Sequence, residues 1–306
     1  MNPFTPHAIV LRERVYAMNR PRKNVVDRLG LTIRRASLHD KEELQMLCVA
    51  AAGVDDYIIP ILGEVLLDHT IMVALDEAEH ITGMMSLVQS VDGSGWLGMA
   101  RTHPDYRQRG IASSLIERLI ELARRSGTPC LRLWTDHDNV AANKTAQSLG
   151  FQEASRFVRV NGQTSGEPPR AEKAEFNESL WTTVRASTIL AKGAGYFCYD
   201  WCFVPSTRST LATICARGHA YAFSGNILCF DPSPDSLTDG FEFSMLAGHP
   251  SEMLIEARRK AGSYGCETAN AFIPNDRRLI AMAKKAGFRL GHWGRVAILY
   301  ELSITR

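Results

Sequence analysis

The sequence predicts a mixed α/β fold of two domains, each with a twisted, partly parallel sheet flanked by helices. Two observations lead to this class. Strand-like and helix-like segments follow one another along the chain in a mixed order, which is typical of a sheet covered by helices. The chain has 306 residues, a length that suits two domains that each bury a core.

The second half of the sequence repeats short stretches of the first half. The similar pairs are 99–104 with 246–250, 119–125 with 254–259, and 148–151 with 285–288. Between the halves, residues 161–170 are rich in Gly, Pro, Ser and Asn, which is typical of a linker. These features predict a basic extension at 1–30, a first domain at 31–160, a linker at 161–177 and a degenerate second domain at 178–306.

The first domain is predicted to open with a strand and two helices. Leu31–Arg35 has the pattern of a strand, and 39–52 places Leu44, Leu47 and Cys48 on one helical face. A second helix should run through Leu67. Three strands follow at 71–75, 81–89 and 96–102, the first two joined across an acidic turn.

The segment from Ala100 to Leu115 joins the last of these strands to an amphipathic helix. The start of a helix leaves backbone N–H groups unpaired and carries the positive end of the helix dipole. Gly110 allows an anion to approach the backbone closely, and Arg107 and Arg109 add positive charge. The segment therefore predicts an anion-binding cradle over residues 108–113.

This loop resembles the acetyl-CoA loop of the GCN5-related N-acetyltransferase (GNAT) superfamily. The superfamily pattern is Arg/Gln-x-x-Gly-x-Gly/Ala, which Arg107, Gly110 and Ala112 match. A second motif, an Asn followed by a helix ending in Gly-Phe, matches Asn139 and 150–151. The resemblance implies acetyl-CoA as the co-substrate and direct attack of an amine on the thioester.

The resemblance also implies which residues bind the cofactor. Asn139 should reach the pantetheine arm or the reacting end. The strand backbone of Ala100, Arg101 and Thr102 should run along the pantetheine, where an N–H would stabilise the developing oxyanion. The residues expected around the pyrophosphate are Arg107, Gln108, Arg109, Gly110, Ile111, Ala112 and Ser113.

The sequence departs from the superfamily at the positions of the general acid and base. The slot often filled by a Tyr is Ala146, and strand 96–102 contributes no carboxylate. Tyr57 is the candidate acid, with water as the alternative, and Asp136 is the candidate base, with His137 as the alternative. Asn139 is the third catalytic candidate. The alternatives are that Tyr57 only packs and that Asp136 or its neighbour Asp138 only caps the following helix.

The acceptor is expected to be the amine of a small molecule, with amino acids among the candidates. Asp56 and Tyr57 in the first half and Asp200 and Trp201 in the second are the predicted substrate contacts. Both stretches are similar to the two-domain group that includes histidine N-acetyltransferase-like proteins. The alternative for Asp56 is a solvated turn, and the alternative for Asp200 and Trp201 is packing within one aromatic strand at 196–203.

The resulting prediction is an acetyl-CoA-dependent N-acetyltransferase. Because the usual acid and base are missing, a non-catalytic acyl-CoA-binding or sensing protein stays as an alternative. A further alternative is acetylation of a peptide or protein.

Composition narrows the partners. The net charge of +2 gives no basis for nucleic-acid binding, and no stretch is long and apolar enough for a membrane span. The seven cysteines lack metal spacing, so buried reduced thiols, no metal and a cytoplasmic location are expected. The chain is expected to be a monomer or homodimer. The Arg-rich residues 1–30 suit either a targeting peptide or a loose extension.

Overall fold

A computed structural model describes residues 25–26, 31–230, 240–291 and 296–304. By residue contacts the chain divides into two compact units, the first of 1–89, 94–131 and 302–306, the second of 90–93 and 132–301. This division differs from the predicted one, since strand Gln152–Gln163 lies within the second unit and crosses the predicted start of the linker. The predicted domain boundaries stay predictions. Apart from 25–26, the predicted extension 1–30 lies outside the described residues.

The strands of the first unit form an antiparallel series in which β1 to β5 pair in chain order. Helices α1 and α2 pack their apolar residues against this series, with Leu44, Ile58 and Leu62 fully buried. The elements are β1 Val25–Val26, β2 Thr32–Arg35, α1 Lys41–Ala52, α2 Ile58–Asp68, β3 Thr70–Leu75, β4 Ile81–Gln89, β5 Gly95–Thr102 and α3 Ile111–Ser126.

Helix α3 begins directly against β4 because Gly83 has no side chain. A Cβ atom at Gly83 would lie 2.5 Å from Cγ2 of Ile111 and 3.3 Å from the carbonyl oxygen of Arg101. Leu115 and Leu119 of α3 are buried. The first turn of α3 is therefore fixed by packing, which places the predicted cradle at the end of β5.

The second unit contains most of β6, most of β16 and the elements between them. Its strands follow the order β6-β16-β7-β14-β13-β12-β11-β8, with β15 also paired to β7. The elements are β6 Cys130–Asp136, α4 Val140–Ser148, β7 Gln152–Gln163, β8 Glu172–Lys173, α5 Glu178–Arg185, α6 Thr188–Lys192, β9 Tyr196–Tyr199, β10 Cys202–Pro205, α7 Arg208–Ala216, β11 Ala220–Phe223, β12 Asn226–Phe230, β13 Phe241–Ala247, α8 Pro250–Ser263, β14 Thr268–Pro274, α9 Arg277–Lys285, β15 Phe288–Leu290 and β16 Val296–Ser303.

One order of elements occurs twice in the chain. β5 is followed by α3, β6, α4 and β7, and β13 is followed by α8, β14, α9 and β15. β13 and β14 pair in parallel, whereas β7 pairs antiparallel with β14. The predicted mixed α/β class is confirmed, and the sequence repeats fall at equivalent places in the two series.

The state of the cysteines was one of the compositional predictions. All seven cysteines lie in described ranges, none forms a disulfide bond, and all are buried or half-buried, as predicted. Among the described residues, no helix is long and apolar enough to cross a membrane. No group of three or more His, Cys, Asp or Glu side chains in the described ranges is arranged to hold a metal ion.

Candidate functional site

Helix α3 begins without a capping side chain. Gly110, the residue before the helix, has φ 81° and ψ 1°, and the first turn contains no acidic residue. Gln108 also has a positive φ, 62°, which is unfavourable for a residue other than glycine. Left-handed residues beside a helix start are typical of backbone segments whose successive N–H groups bind an anion. This is the geometry of an anion site at the predicted residues 108–113.

Two exposed arginines flank this concavity, and other parts of the first unit hold both. The Nη2 atom of Arg107 donates to the carbonyl oxygen of Ala51 over 3.0 Å, at the C-terminal end of α1. The guanidinium of Arg109 lies 5.1 Å from the ring centre of Tyr106. The hydroxyl of Tyr106 in turn donates to Asp76 over 2.7 Å. These contacts keep two positive charges beside the start of α3.

Strand β5 carries a bulge at the residues predicted to follow the pantetheine. Met84 of β4 pairs with Arg101, and Ser86 pairs with Gly98, so Met99 and Ala100 lie together opposite one residue. Met99 has a positive φ of 54°. A bulge leaves an extra residue outside the ladder and bends the strand. The backbone at Ala100 is therefore available for contacts other than those with β4.

Asp56 and Arg101 form a buried bidentate ion pair. The Nε atom of Arg101 donates to Oδ2 of Asp56 over 2.7 Å, and Nη2 donates to Oδ1 over 2.6 Å. The Asp56 side chain has no exposed surface, and the Arg101 side chain is 17% exposed. Oδ1 of Asp56 also accepts from the backbone N–H of Ile58. Asp56 was predicted as a substrate contact, but its carboxylate is neutralised inside the protein.

The charges of this pair are stable and Tyr57 stays protonated at neutral pH. Burial raises the pKa of Asp56, but hydrogen bonds from Arg101 and Ile58 outweigh it, and the net pKa is lowered. Burial raises the pKa of the neighbouring Cys48 thiol to about 11. Burial also raises the pKa of Tyr57 above its ordinary value, against the charge of Arg101. The Tyr57 ring lies 5.4 Å from the Arg101 guanidinium, and a proton donor must keep its proton.

In the second unit, Asn139 caps helix α4. Its Oδ1 atom accepts from the N–H of Ala142 over 3.2 Å, so the cap is neither Asp136 nor Asp138. Asp138 instead lies 2.8 Å from Nδ1 of His137. The capping alternative for the aspartates is therefore wrong, because the amide of Asn139 already fills that position. The catalytic role of Asp136 and the cofactor role of Asn139 stay predictions.

Asn143 organises the same turn, and the sequence analysis missed it. Its Nδ2 atom donates to the carbonyl oxygens of Asp136, His137 and Asn139 over 2.9 to 3.1 Å. Its Oδ1 atom accepts from the hydroxyl of the buried Tyr300 over 2.9 Å. A signal was present, because an Asn inside a helix is a poor helix former unless its side chain has local partners.

Ala146, at the position of the superfamily's usual Tyr acid, is packed in the core. Ala146 is 1% exposed on α4. A small apolar residue in the core cannot donate a proton. The general acid must therefore come from another position.

Asp200 and Trp201 form a tight turn, so the interpretation of 196–203 as one strand is wrong. Tyr199 of β9 pairs with Cys202 of β10, and both turn residues have positive φ, 50° and 57°. Two such residues between paired strands make the hairpin turn that matches strand twist. Trp201 lies over the guanidinium of Arg159, 4.3 Å from its carbon. The substrate role of Asp200 and Trp201 stays a prediction.

The helix that repeats α3 in the second unit begins in a different way. Only Gly248 and His249 separate β13 from α8. The side chain of the buried Asn226 accepts from the N–H of His249 over 2.7 Å and donates to Glu252 over 2.9 Å. Pro250 has no N–H to offer. The side chain of Asn226 therefore lies beside the start of α8, held by His249 and Glu252, and it is a second residue that sequence reasoning missed.

Comparison with known proteins matches the first half of the chain. The sequence profile of the acetyltransferase (GNAT) family covers residues 42–151. Mycothiol acetyltransferase from Mycolicibacterium gilvum is 28% identical over 138 residues, 42% of this chain and 44% of that protein. An uncharacterized N-acetyltransferase from Methanocaldococcus jannaschii is 40% identical over 50 residues, 16% of this chain and 22% of that protein. The chain thus spans less than half the length of the curated relatives it matches.

Solved structures extend the likeness of fold to most of the chain. A GCN5-related N-acetyltransferase from Sphaerobacter thermophilus has a TM-score of 0.59 at 11% identity, covering 92% of this chain and 98% of that one. A candidate acetyltransferase from Thermoplasma acidophilum has a TM-score of 0.62 at 16% identity, covering 89% and 99%. The profile match therefore covers residues 42–151, and the solved structures show a similar fold over most of the chain. The resemblance to histidine N-acetyltransferase-like proteins stays a prediction.

Proposed function

We propose that the chain is an acetyl-CoA-dependent N-acetyltransferase that acts on the amine of a small molecule. The start of α3 carries this proposal. It combines an uncapped helix terminus, left-handed residues at 108 and 110, and two exposed arginines, and it lies inside the segment that matches the acetyltransferase family. These are the features that bind a pyrophosphate.

The chemistry follows from the strand that leads into this helix. The acceptor amine attacks the thioester carbonyl directly, and the bulged backbone of β5 at Ala100 supplies polar groups beside the thioester. Stabilisation of the developing oxyanion by preorganised donors usually contributes more to such catalysis than any other effect. Tyr57 keeps its proton at neutral pH, which suits a donor to the departing thiolate.

The repeated order of elements supports a tandem arrangement with one working cradle. Because Asn226 and Glu252 fill the start of α8, we propose one acetyl-CoA for each chain. A small-molecule acceptor, with amino acids among the candidates, a monomer or homodimer and a cytoplasmic location complete the proposal.

Binding and turnover together test it. Calorimetric titration of the purified chain should show one acetyl-CoA bound per chain. Release of free CoA thiol should then be measured with amino acids, polyamines, aminoglycosides and short peptides as acceptors. Turnover with small amines is expected. Turnover with peptides alone would move the acceptor to peptides or proteins, and absence of acetyl-CoA binding would overturn the proposal.

One observation favours a second function, an acyl-CoA-binding or sensing protein. Ala146 is packed in the core at the position of the usual acid. Saturable binding of acetyl-CoA with no thiol release for any acceptor would support the sensor.

A further inference from the structure

Arg101 makes one contact beyond its pairing with Asp56. Its Nη1 atom donates to the carbonyl oxygen of Ala100, its own neighbour, over 2.8 Å. The three nitrogens of one guanidinium group are therefore divided between a buried carboxylate and a backbone carbonyl of the bulge. The planar guanidinium fixes the angles between these bonds, so holding one side of it directs the other.

The carbonyl group of Ala100 lies in the bulge of β5, where the strand pairs least regularly with β4. Met99 and Ala100 share one partner position on β4, and Met99 has a strained positive φ. Backbone in such a conformation persists only where its surroundings determine it. The bond from Arg101 supplies that determination at Ala100.

Asp56 in turn determines the direction of Arg101. Both carboxylate oxygens of Asp56 are bonded to it, the side chain is fully buried, and the N–H of Ile58 holds the carboxylate in place. Tyr57 covers the guanidinium from the next position in the chain. Asp56 thus anchors a chain of contacts that ends at the bulge of β5.

We infer that Asp56 and Arg101 are positioning residues that act on the bulge backbone at Ala100, and that Asp56 does not bind the acceptor amine. The inference rests on the proposed function, in which this backbone faces the thioester. Its physical basis is that catalysis by oriented backbone groups depends on their direction, and the pair sets that direction.

The chain contains a matched pair for comparison. Arg34 and Asp40 form a bidentate ion pair in the same unit, with bonds of 2.9 and 2.6 Å. Arg34 lies on β2 and does not contact β5 in any described hydrogen bond. Arg34→Lys and Asp40→Asn therefore reproduce the loss of an ion pair without changing the bulge.

The experiment compares Asp56→Asn and Arg101→Lys with those two controls. Thermal melting first establishes that each variant is folded. Both test variants should lower kcat by about 10- to 100-fold, below the effect of removing an oxyanion donor outright, with the dissociation constant of acetyl-CoA unchanged. The controls should leave kcat unchanged. Combining the two test substitutions should give little further loss, because both break the same chain of contacts.

A spectroscopic readout keeps the inference separate from turnover. The infrared carbonyl band of bound acetyl-CoA labelled with carbon-13 should move to higher frequency in both test variants, as its hydrogen bond weakens, and stay in place in the controls. An unmoved band would overturn the inference even if the wild type turns over. A rise in acceptor KM with kcat unchanged in Asp56→Asn alone would assign Asp56 to the acceptor instead. If the wild type binds acetyl-CoA without turnover, the proposed function is wrong. The band shift then still decides whether Asp56 and Arg101 position the bulge.

Discussion

Helices α3 and α8 follow equivalent strands, and neither start has a side-chain capping hydrogen bond, yet the residues around the two starts differ. Before α3 the loop 103–110 ends in a left-handed glycine with no capping side chain and no acid in the first turn. Before α8 the amide of Asn226 takes the N–H of His249 and holds Glu252. If the start of α3 is the proposed anion site, the difference suggests that an acid in the first turn and a nearby amide side chain are what α8 has in its place.

Exchange of one residue at the same helical position is the strongest test of this comparison. Ala112 and Ser251 are both the second residue of their helix. Ala112→Glu should weaken acetyl-CoA binding by about 100-fold or more, because a carboxylate meets the pyrophosphate. Ser251→Glu should leave binding within about twofold, because the proposed single acetyl-CoA lies at α3 and not at α8.

Calorimetric titration measures both dissociation constants. An acid in the first turn of a helix stabilises it, so both variants should fold. Equal weakening by Ser251→Glu would show that the second helix also takes part in binding.

The next test concerns the close packing of Gly248 against Asn226 before α8. Gly248 has φ 115°, and a Cβ atom there would lie 2.8 Å from Cα of Asn226. Gly248→Ala should lower the free energy of unfolding by about 3 kcal/mol, through backbone strain and overpacking. Gly127 also has a positive φ, but a Cβ atom there meets nothing within 4 Å. Gly127→Ala should cost only about 1 kcal/mol in urea unfolding, and equal costs would contradict the close packing at Gly248.

Removal of the amide itself should have a smaller effect. Asn226→Ala leaves the N–H of His249 without its acceptor inside the protein, which should lower the free energy of unfolding by about 1 to 3 kcal/mol. Asn275→Ala, at an exposed position, is the control and should be near neutral. The number of acetyl-CoA molecules bound should stay at one. A second molecule bound to the Asn226→Ala variant would mean that the amide alone closes a second cradle.

The same contrast explains what the sequence could predict. The start of α3 was predictable because its determinants, a glycine, a helix start and two arginines, are neighbours in sequence. The closure of α8 depends on Asn226 and His249, 23 positions apart, and no local pattern joins them. Asp56 and Arg101 are 45 positions apart, so the sequence did not indicate their ion pair when Asp56 was predicted to contact the substrate. The role of Asn143 was easier to predict, because its nearest partner in sequence, Asn139, lies one helical turn before it.

The smallest expected effect tests the strand that leads into α3. The pKa of Asp56 in the folded chain is lowered, chiefly because its hydrogen bonds to Arg101 overcome the effect of burial. Its contribution to stability should therefore be complete above the pKa of the unfolded chain, near about 4, and be lost as the pH falls through the folded pKa. Urea unfolding between pH 6 and pH 3 should show wild-type stability falling at the acid end, and Asp56→Asn should flatten that fall. Asp55→Asn, at the exposed neighbouring position, should keep the wild-type slope. If Asp55→Asn and Asp56→Asn flattened the fall in stability equally, the acid sensitivity would come from the general charge of this loop. The Asp56–Arg101 ion pair would then not be what stabilises the strand leading into α3.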